Sequence, residues 1–163
     1  MQKYYFKMSN KITRRNDDII DQLELAMSED FPVVNCPVTH TFTDGIYIRQ
    51  IFMPKGTLIT SKIHLTNHPY NVSMGHAKVC IDGSDWKDIV APYNGVTLSG
   101  TRRILYIVED CIWTTYHKID TVSVEDNNLS DEEKEEIVNK IESTIIDSRE
   151  NLLLNKKEVL CLG

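Results

Sequence analysis

The apolar positions of this chain fall at two different periods, and the change from one to the other divides it. Between Arg14 and Asp30, in RRNDDIIDQLELAMSED, Ile19, Ile20, Leu23 and Met27 recur at the spacing of one helix face, and Pro32 closes the segment. From Val33 to about Val124 the texture becomes short runs of Ile, Val, Thr and Tyr, interrupted by DG, PKG, NHP, DGSD, YNG and SG. β-Branched runs punctuated by turn residues predict many short strands, hence an all-β sandwich or barrel. Helical spacing returns after Asn127. Ser130 and Glu133 form a capping box: the Ser hydroxyl accepts from the N3 amide and the Glu carboxylate reaches back to the N-cap amide. Acidic residues fill the first turn, where the helix dipole favours them, and Ile137, Ile141, Ile145 and Leu152 continue an apolar stripe. That stripe predicts a helix packed on the β region or on a second subunit. The division is residues 1–32, a helical arm; 33–125, a β-barrel; and 126–163, a helical segment.

Composition narrows the class. A chain of 163 residues with 41% hydrophobic and 26% charged residues suits one globular domain, so neither disorder nor a membrane protein is expected. No apolar run reaches the roughly 20 residues of a spanning helix, and the N-terminal stretch lacks a signal-peptide core, which predicts a cytoplasmic protein. The net charge of −6 argues against general nucleic-acid or anionic-lipid binding, while leaving room for a local basic pocket. The cysteines Cys36, Cys80, Cys111 and Cys161 stand singly, without a C-x-x-C pair, and are read as reduced thiols.

One stretch carries candidate chemistry. In GTLITSKIHLTNHPYNVSMG, Gly56 to Gly75, alternation puts Leu58, Thr60, Lys62 and His64 on one face of a strand and Ile59, Ser61 and Ile63 on the other. The turn chemistry of LTNHPY then brings His68 back toward Lys62 and His64.

The spacing of Gly56, Lys62, His64, His68 and Gly75 resembles the first motif of the cupin superfamily, G-x5-H-x-H-x3-E-x6-G. APYNGVTLSGTRRILYIVED resembles the second, anchored on Gly100, with Arg103 in the histidine position, Leu98 at the proline and Ile107 at the asparagine. THTFTDGIYIRQIFMPKGT, with APYNGVTLSGTRRILYIVEDCIWTTYH, is similar to small cupin-like proteins encoded by bacteriophages, mostly without an assigned activity. The resemblance implies a mainly β, cupin-type jelly-roll barrel with a pocket at one mouth, residence in the host cytoplasm, and a homo-oligomer, a dimer by family habit. In that dimer an outward Ile59 and Ile63 and the terminal helices would be covered.

It also implies where the chemistry lies. The four positions that carry metal ligands in the family are Lys62, His64, His68 and Arg103 here, and neither an ammonium nor a guanidinium can ligate at neutral pH. The expectation is therefore no metal and no cofactor, with a shifted set of His64, His68 and either His117 or His40 as the fallback. Without a metal, Lys62 and Arg103 supply charge for an anion and His64 and His68 supply hydrogen bonds. Arg49 joins them if its strand turns that face inward, and Arg102 replaces Arg103 if the strand phase is shifted by one. Tyr47, Tyr106 and Trp113 offer flat surfaces, so that phosphate plus a ring would mean a nucleotide or sugar nucleotide.

Three functions follow. The first is a binding module for a small anionic molecule, such as a nucleotide-derived signal that a phage protein sequesters. The second is a structural or interaction protein with a vestigial pocket and the acidic C-terminal helix as its working surface. The third is a metal-independent sugar-nucleotide epimerase or isomerase with His64 as base. No carboxylate lies within Gly56 to Gly75 to orient that base, and Glu109 and Asp110 sit in an apparent loop.

Overall fold

The computed structural model describes residues 19–119 and 128–146, together with the backbone of 161–162. Residues 14–18 of the expected N-terminal helix, Val124 and Leu152 lie outside these residues. Helix α1 covers 19–30. Strands β1 (Val38–Thr43), β2 (Ile46–Met53), β3 (Leu58–Thr60), β4 (His68–Ile81), β5 (Lys87–Val90), β6 (Tyr93–Thr97) and β7 (Arg103–Lys118) follow, then helix α2 (Asp131–Ile145) and the short β8 (Cys161–Leu162). The fold is mainly β, and its strands hydrogen-bond antiparallel throughout.

Strand β7 organises the sheet. One edge pairs with β2 and then β3, the other with β4, and the far edge of β4 carries β6 and β5. The strands bend round to enclose a core, a jelly-roll arrangement flanked by one helix on each side of the chain. The β1–β2 hairpin shows how sequence sets register: Thr43 faces Ile46 across Asp44 and Gly45, whose positive φ angles of 34° and 74° are those of a two-residue turn with the right twist for a hairpin.

The bend in β4 has an equally local cause. The pairing of β4 with β7 is irregular between Val72 and Ala77. At its centre Gly75 has φ +89°, and a Cβ there would stand 2.0 Å from the Asp110 carbonyl oxygen. Only glycine allows the two strands to press together at this point.

Inside the barrel Ile51, Met53, Ile59, Tyr70, Val72, Ala77, Val79, Leu105, Ile107 and Trp113 form the main core. The two helices cover the outside. Helix α1 sets Ile20 and part of Leu23 against Cys80 and Ile104. Its Asp21 and Glu24 accept from the Arg102 guanidinium at 2.7 and 2.8 Å, and Thr60 donates to Glu24 at 2.6 Å. Helix α2 starts at the Ser130–Glu133 capping box and buries Val138, Ile141 and Ile145 against Phe42 and Tyr47, so the described part of its stripe is covered within the monomer.

Several expectations are corrected. NHP and YNG are not turns: His68 and Pro69 open β4, and Tyr93 to Gly95 lie in β6, where Gly95 leaves space for the Tyr70 ring. The long alternating strand through Lys62 is also shorter than the pattern suggests. It stops at Thr60, because the Ser61 hydroxyl takes the Arg103 amide at 2.9 Å and turns the chain out of the ladder. The alternation of faces is lost with it, and both Ile59 and Ile63 are buried in the monomer, not outward. Glu109 and Asp110 lie within β7, not in a loop. Among the described residues no helix is long and apolar enough to cross a membrane.

Candidate functional site

Strand parity builds the site. Along β2, Tyr47, Arg49, Ile51 and Met53 share the inward face; along β7, Arg103, Leu105, Trp113, Thr115 and His117 do. The register places Tyr47 beside His117, Arg49 beside Thr115 and Ile51 beside Trp113. His68, at the start of β4, faces Thr97 of β6. The segment after β3 adds Lys62 and His64, and α2 adds Glu142 and Ile145. Together these residues line a cavity of about 120 Å³.

Its cations are not equivalent. Lys62 Nζ lies 2.9 Å from Glu142 Oε2, so α2 supplies its counter-charge. Arg103 is 7% exposed, donates from Nη1 to Thr97 Oγ1 at 2.7 Å, and lies over the Tyr70 ring at 5.0 Å from the centroid. It has no carboxylate partner among the described residues. Burial lowers its pKa, the direction of a guanidinium short of compensating charge. Arg49 is half-buried on the same wall, likewise without an ion pair among the described residues. Arg102 points the other way, into the acidic pair on α1, so the strand phase that turns Arg103 inward is the one observed.

The histidines converge. The rings of His64, His68 and His117 have centroids 4.4, 5.1 and 4.4 Å apart, and one nitrogen from each lies within 4.8 Å of the other two. Burial, reinforced by the neighbouring imidazoles and Arg49, pulls both His64 and His117 down to about 3; burial also lowers His68. All three are neutral near pH 7. His40 stays apart, with Nδ1 2.7 Å from the Tyr47 hydroxyl, so the structure gathers the set that ends in His117 and leaves out the one that ends in His40.

The aromatic expectations divide. Trp113 lines the cavity, but one face is taken by Tyr70, stacked at 4.6 Å and 14°. Tyr106 does not belong to the site: it is 44% exposed on the outer face of β7, because an even position cannot share the inward face of Arg103. Sequence reasoning missed Thr97, Tyr70 and Glu142. For Glu142 no local signal exists, since its meeting with Lys62 depends on how α2 docks.

The metal set that cupin motifs imply does not fit these residues. Two of the four positions are cations already engaged, Lys62 with Glu142 and Arg103 with Thr97.

No protein-family model matches the chain, and no curated protein resembles it in sequence. Solved structures resemble it over about half its length. An RmlC-like cupin family protein with a double-stranded β-helix fold from Methanocaldococcus jannaschii superposes with a TM-score of 0.45 at 7% identity, covering 52% of this chain and 81% of that one. A cupin superfamily protein from Desulfitobacterium hafniense gives 0.46 at 12% identity over 55% and 82%. A cupin-2 domain protein from Shewanella frigidimarina gives 0.43 at 12% over 57% and 88%. These structural neighbours are proteins described as cupins.

Proposed function

We propose that this protein binds a small anionic molecule inside the barrel pocket. The reading is carried by Arg103, a guanidinium held inside the barrel by a hydroxyl and an aromatic face, with no carboxylate partner among the described residues. A buried charge without a counter-charge is costly, and an anion arriving from solvent offsets that cost while taking the fork of N–H donors. Arg49 on β2 adds a second cation, and the neutral His64 ring, which makes no other hydrogen bond among the described residues, adds a hydrogen-bond donor.

The size of the site limits the ligand. A cavity of about 120 Å³ is well below the roughly 300–1,000 Å³ of sites for drug-sized molecules. It suits phosphate, sulfate or a small carboxylate; of a nucleotide, only the phosphate end would enter. The occupied face of Trp113 and the outward Tyr106 also leave less platform for a base than the sequence suggests. The enzyme reading has weaker support. An efficient general base has a pKa near the working pH, whereas burial holds His64 at about 3.

Thermal denaturation against a panel of anions tests the proposal. Phosphate, sulfate or a short dicarboxylate at 100 times its dissociation constant stabilises by about 2.7 kcal/mol, and the midpoint rises accordingly. The rise disappears in Arg103→Gln, checked by circular dichroism for an intact fold. A panel that leaves the midpoint of the wild-type protein unmoved, or a shift that persists in a folded Arg103→Gln, overturns it.

A further inference from the structure

His117 occupies no ligand position of either cupin-like motif, yet it is the member of the histidine cluster with the clearest chemical demand. It is 2% exposed, and its Nδ1 is buried without a hydrogen-bond partner. Its Nε2 lies 3.0 Å from Thr115 Oγ1, and that hydroxyl in turn donates to the Arg49 carbonyl at 3.5 Å. Thr115 therefore accepts, Nε2 carries the proton, and the Nδ1 lone pair is left bare.

His68 is oriented in the same manner. Its Nδ1 lies 3.4 Å from the Thr66 carbonyl, which can only accept, so Nδ1 carries the proton and Nε2 is the free lone pair. The His64 ring makes no hydrogen bond among the described residues. Three imidazoles, two of them turned by an outer hydrogen bond so that one nitrogen is unprotonated, are the pattern that metal-binding histidines show. A buried, unpartnered acceptor is otherwise a desolvation cost with nothing to balance it.

The distances allow an ion. For any three atoms within 4.8 Å of one another there is a point within about 2.8 Å of all of them, against about 2.0–2.1 Å for a Zn–N bond, so each ring closes by under about 1 Å. Small side-chain rotations are enough.

We infer that His64, His68 and His117 form a binding site for one divalent transition-metal ion of the kind that prefers imidazole, such as zinc, cobalt or nickel. The triad combines two motif positions with a residue from outside both motifs, and so differs from the four-position set that Lys62 and Arg103 interrupt. Three ligands leave coordination positions open toward the cavity. Arg49 and Arg103 oppose a cation there, whereas Lys62 is balanced by Glu142; an anion in the pocket offsets that repulsion, and metal and anion then strengthen each other's binding by the same factor. The metal site itself rests on the imidazoles and does not require the anion reading.

Cobalt(II) chloride, titrated into chelator-stripped full-length protein in a buffer without coordinating anions, tests the inference. One equivalent per chain is expected to produce visible d–d bands, read by absorbance, with the stoichiometry confirmed by calorimetry. His64→Ala and His117→Ala lose the bands, and His40→Ala keeps them. Since His117→Ala removes a buried ring and can unfold the barrel, Thr115→Val serves as the milder variant: loss of the orienting hydroxyl weakens cobalt binding by about 10–100-fold with the fold unchanged by circular dichroism. Absence of bands in the wild-type protein, or bands that survive both His64→Ala and Thr115→Val at full strength, overturns the inference. Arg103→Gln separates the two ideas, since it abolishes the anion effect and leaves cobalt binding in place.

Discussion

Arg103 and Tyr106 stand three positions apart on one strand, and so on opposite faces of it. That single fact decides which side chains can share the pocket: with Arg103 inward, Trp113, Thr115 and His117 follow by even steps, while Tyr106 is carried outside. The parity was present in the sequence, and expecting Tyr106 beside Arg103 ignored it. The bareness of the His117 nitrogen was not legible, because it depends on the Thr115 hydroxyl and on register with Arg49 across β2. The neutral histidines also have a thermodynamic signature. In metal-free protein His64 and His117 titrate at about 3 in the fold but at 6.5 in the unfolded chain, because burial, the neighbouring imidazoles and Arg49, with Lys62 beside His64, all disfavour the charged ring. The unfolded state therefore binds more protons below about pH 6.5, so stability is full above that value and is lost progressively as pH falls toward 3. The urea midpoint of chelated protein should drop between pH 7.5 and 5, and less steeply in His117→Gln. An equal midpoint at the two pH values would contradict the burial of neutral imidazoles.

At the scale of elements, local signals were reliable where they were chemical. The capping box that opens α2 forms as its sequence indicates, with the Ser130 hydroxyl 3.2 Å from the Glu133 amide and the Glu133 carboxylate 2.8 Å from the Ser130 amide. Ser130→Ala should cost about 1 kcal/mol in chemical denaturation, within the usual range for a lost N-cap, and leave cobalt binding by the triad unaltered. A loss near zero would mean that tertiary contacts alone hold the helix start. Signals of pure alternation were less reliable. The run from Leu58 to His64 alternates well, yet the strand ends at Thr60 because a serine hydroxyl competes for a backbone amide. The helix stripes were legible as stripes, but their destinations were not. Phe42 and Tyr47 receive α2, while Arg102, drawn to Asp21 and Glu24, fixes α1 against Cys80 and Ile104.

At the scale of the molecule, the jelly-roll class was readable because turn residues and β-branched runs are dense between Val33 and Val124, whereas the closure of the pocket was not. It is completed by α2, whose Glu142 and Ile145 come from a different part of the chain. The close contact at Gly75 has a further consequence, which is one of length. At about 3.3 Å per residue, roughly 46 Å of strand separates Arg103 from His117, far more than the span of a small cavity. Both nonetheless line the same space. β7 must therefore run as a hoop, and the pocket is the inside of that hoop. β4 and β7 approach most closely at Gly75 and Asp110, within the irregular stretch of their pairing and away from the residues that line the cavity. Gly75→Ala, with its Cβ driven into the Asp110 carbonyl, should spread the hoop, lower the thermal midpoint and weaken cobalt and anion binding together. A folded variant with unchanged midpoint and unchanged affinity for both would show that the hoop holds its radius by other means. The separation between the guanidinium and the imidazoles is in this sense a property of the circumference.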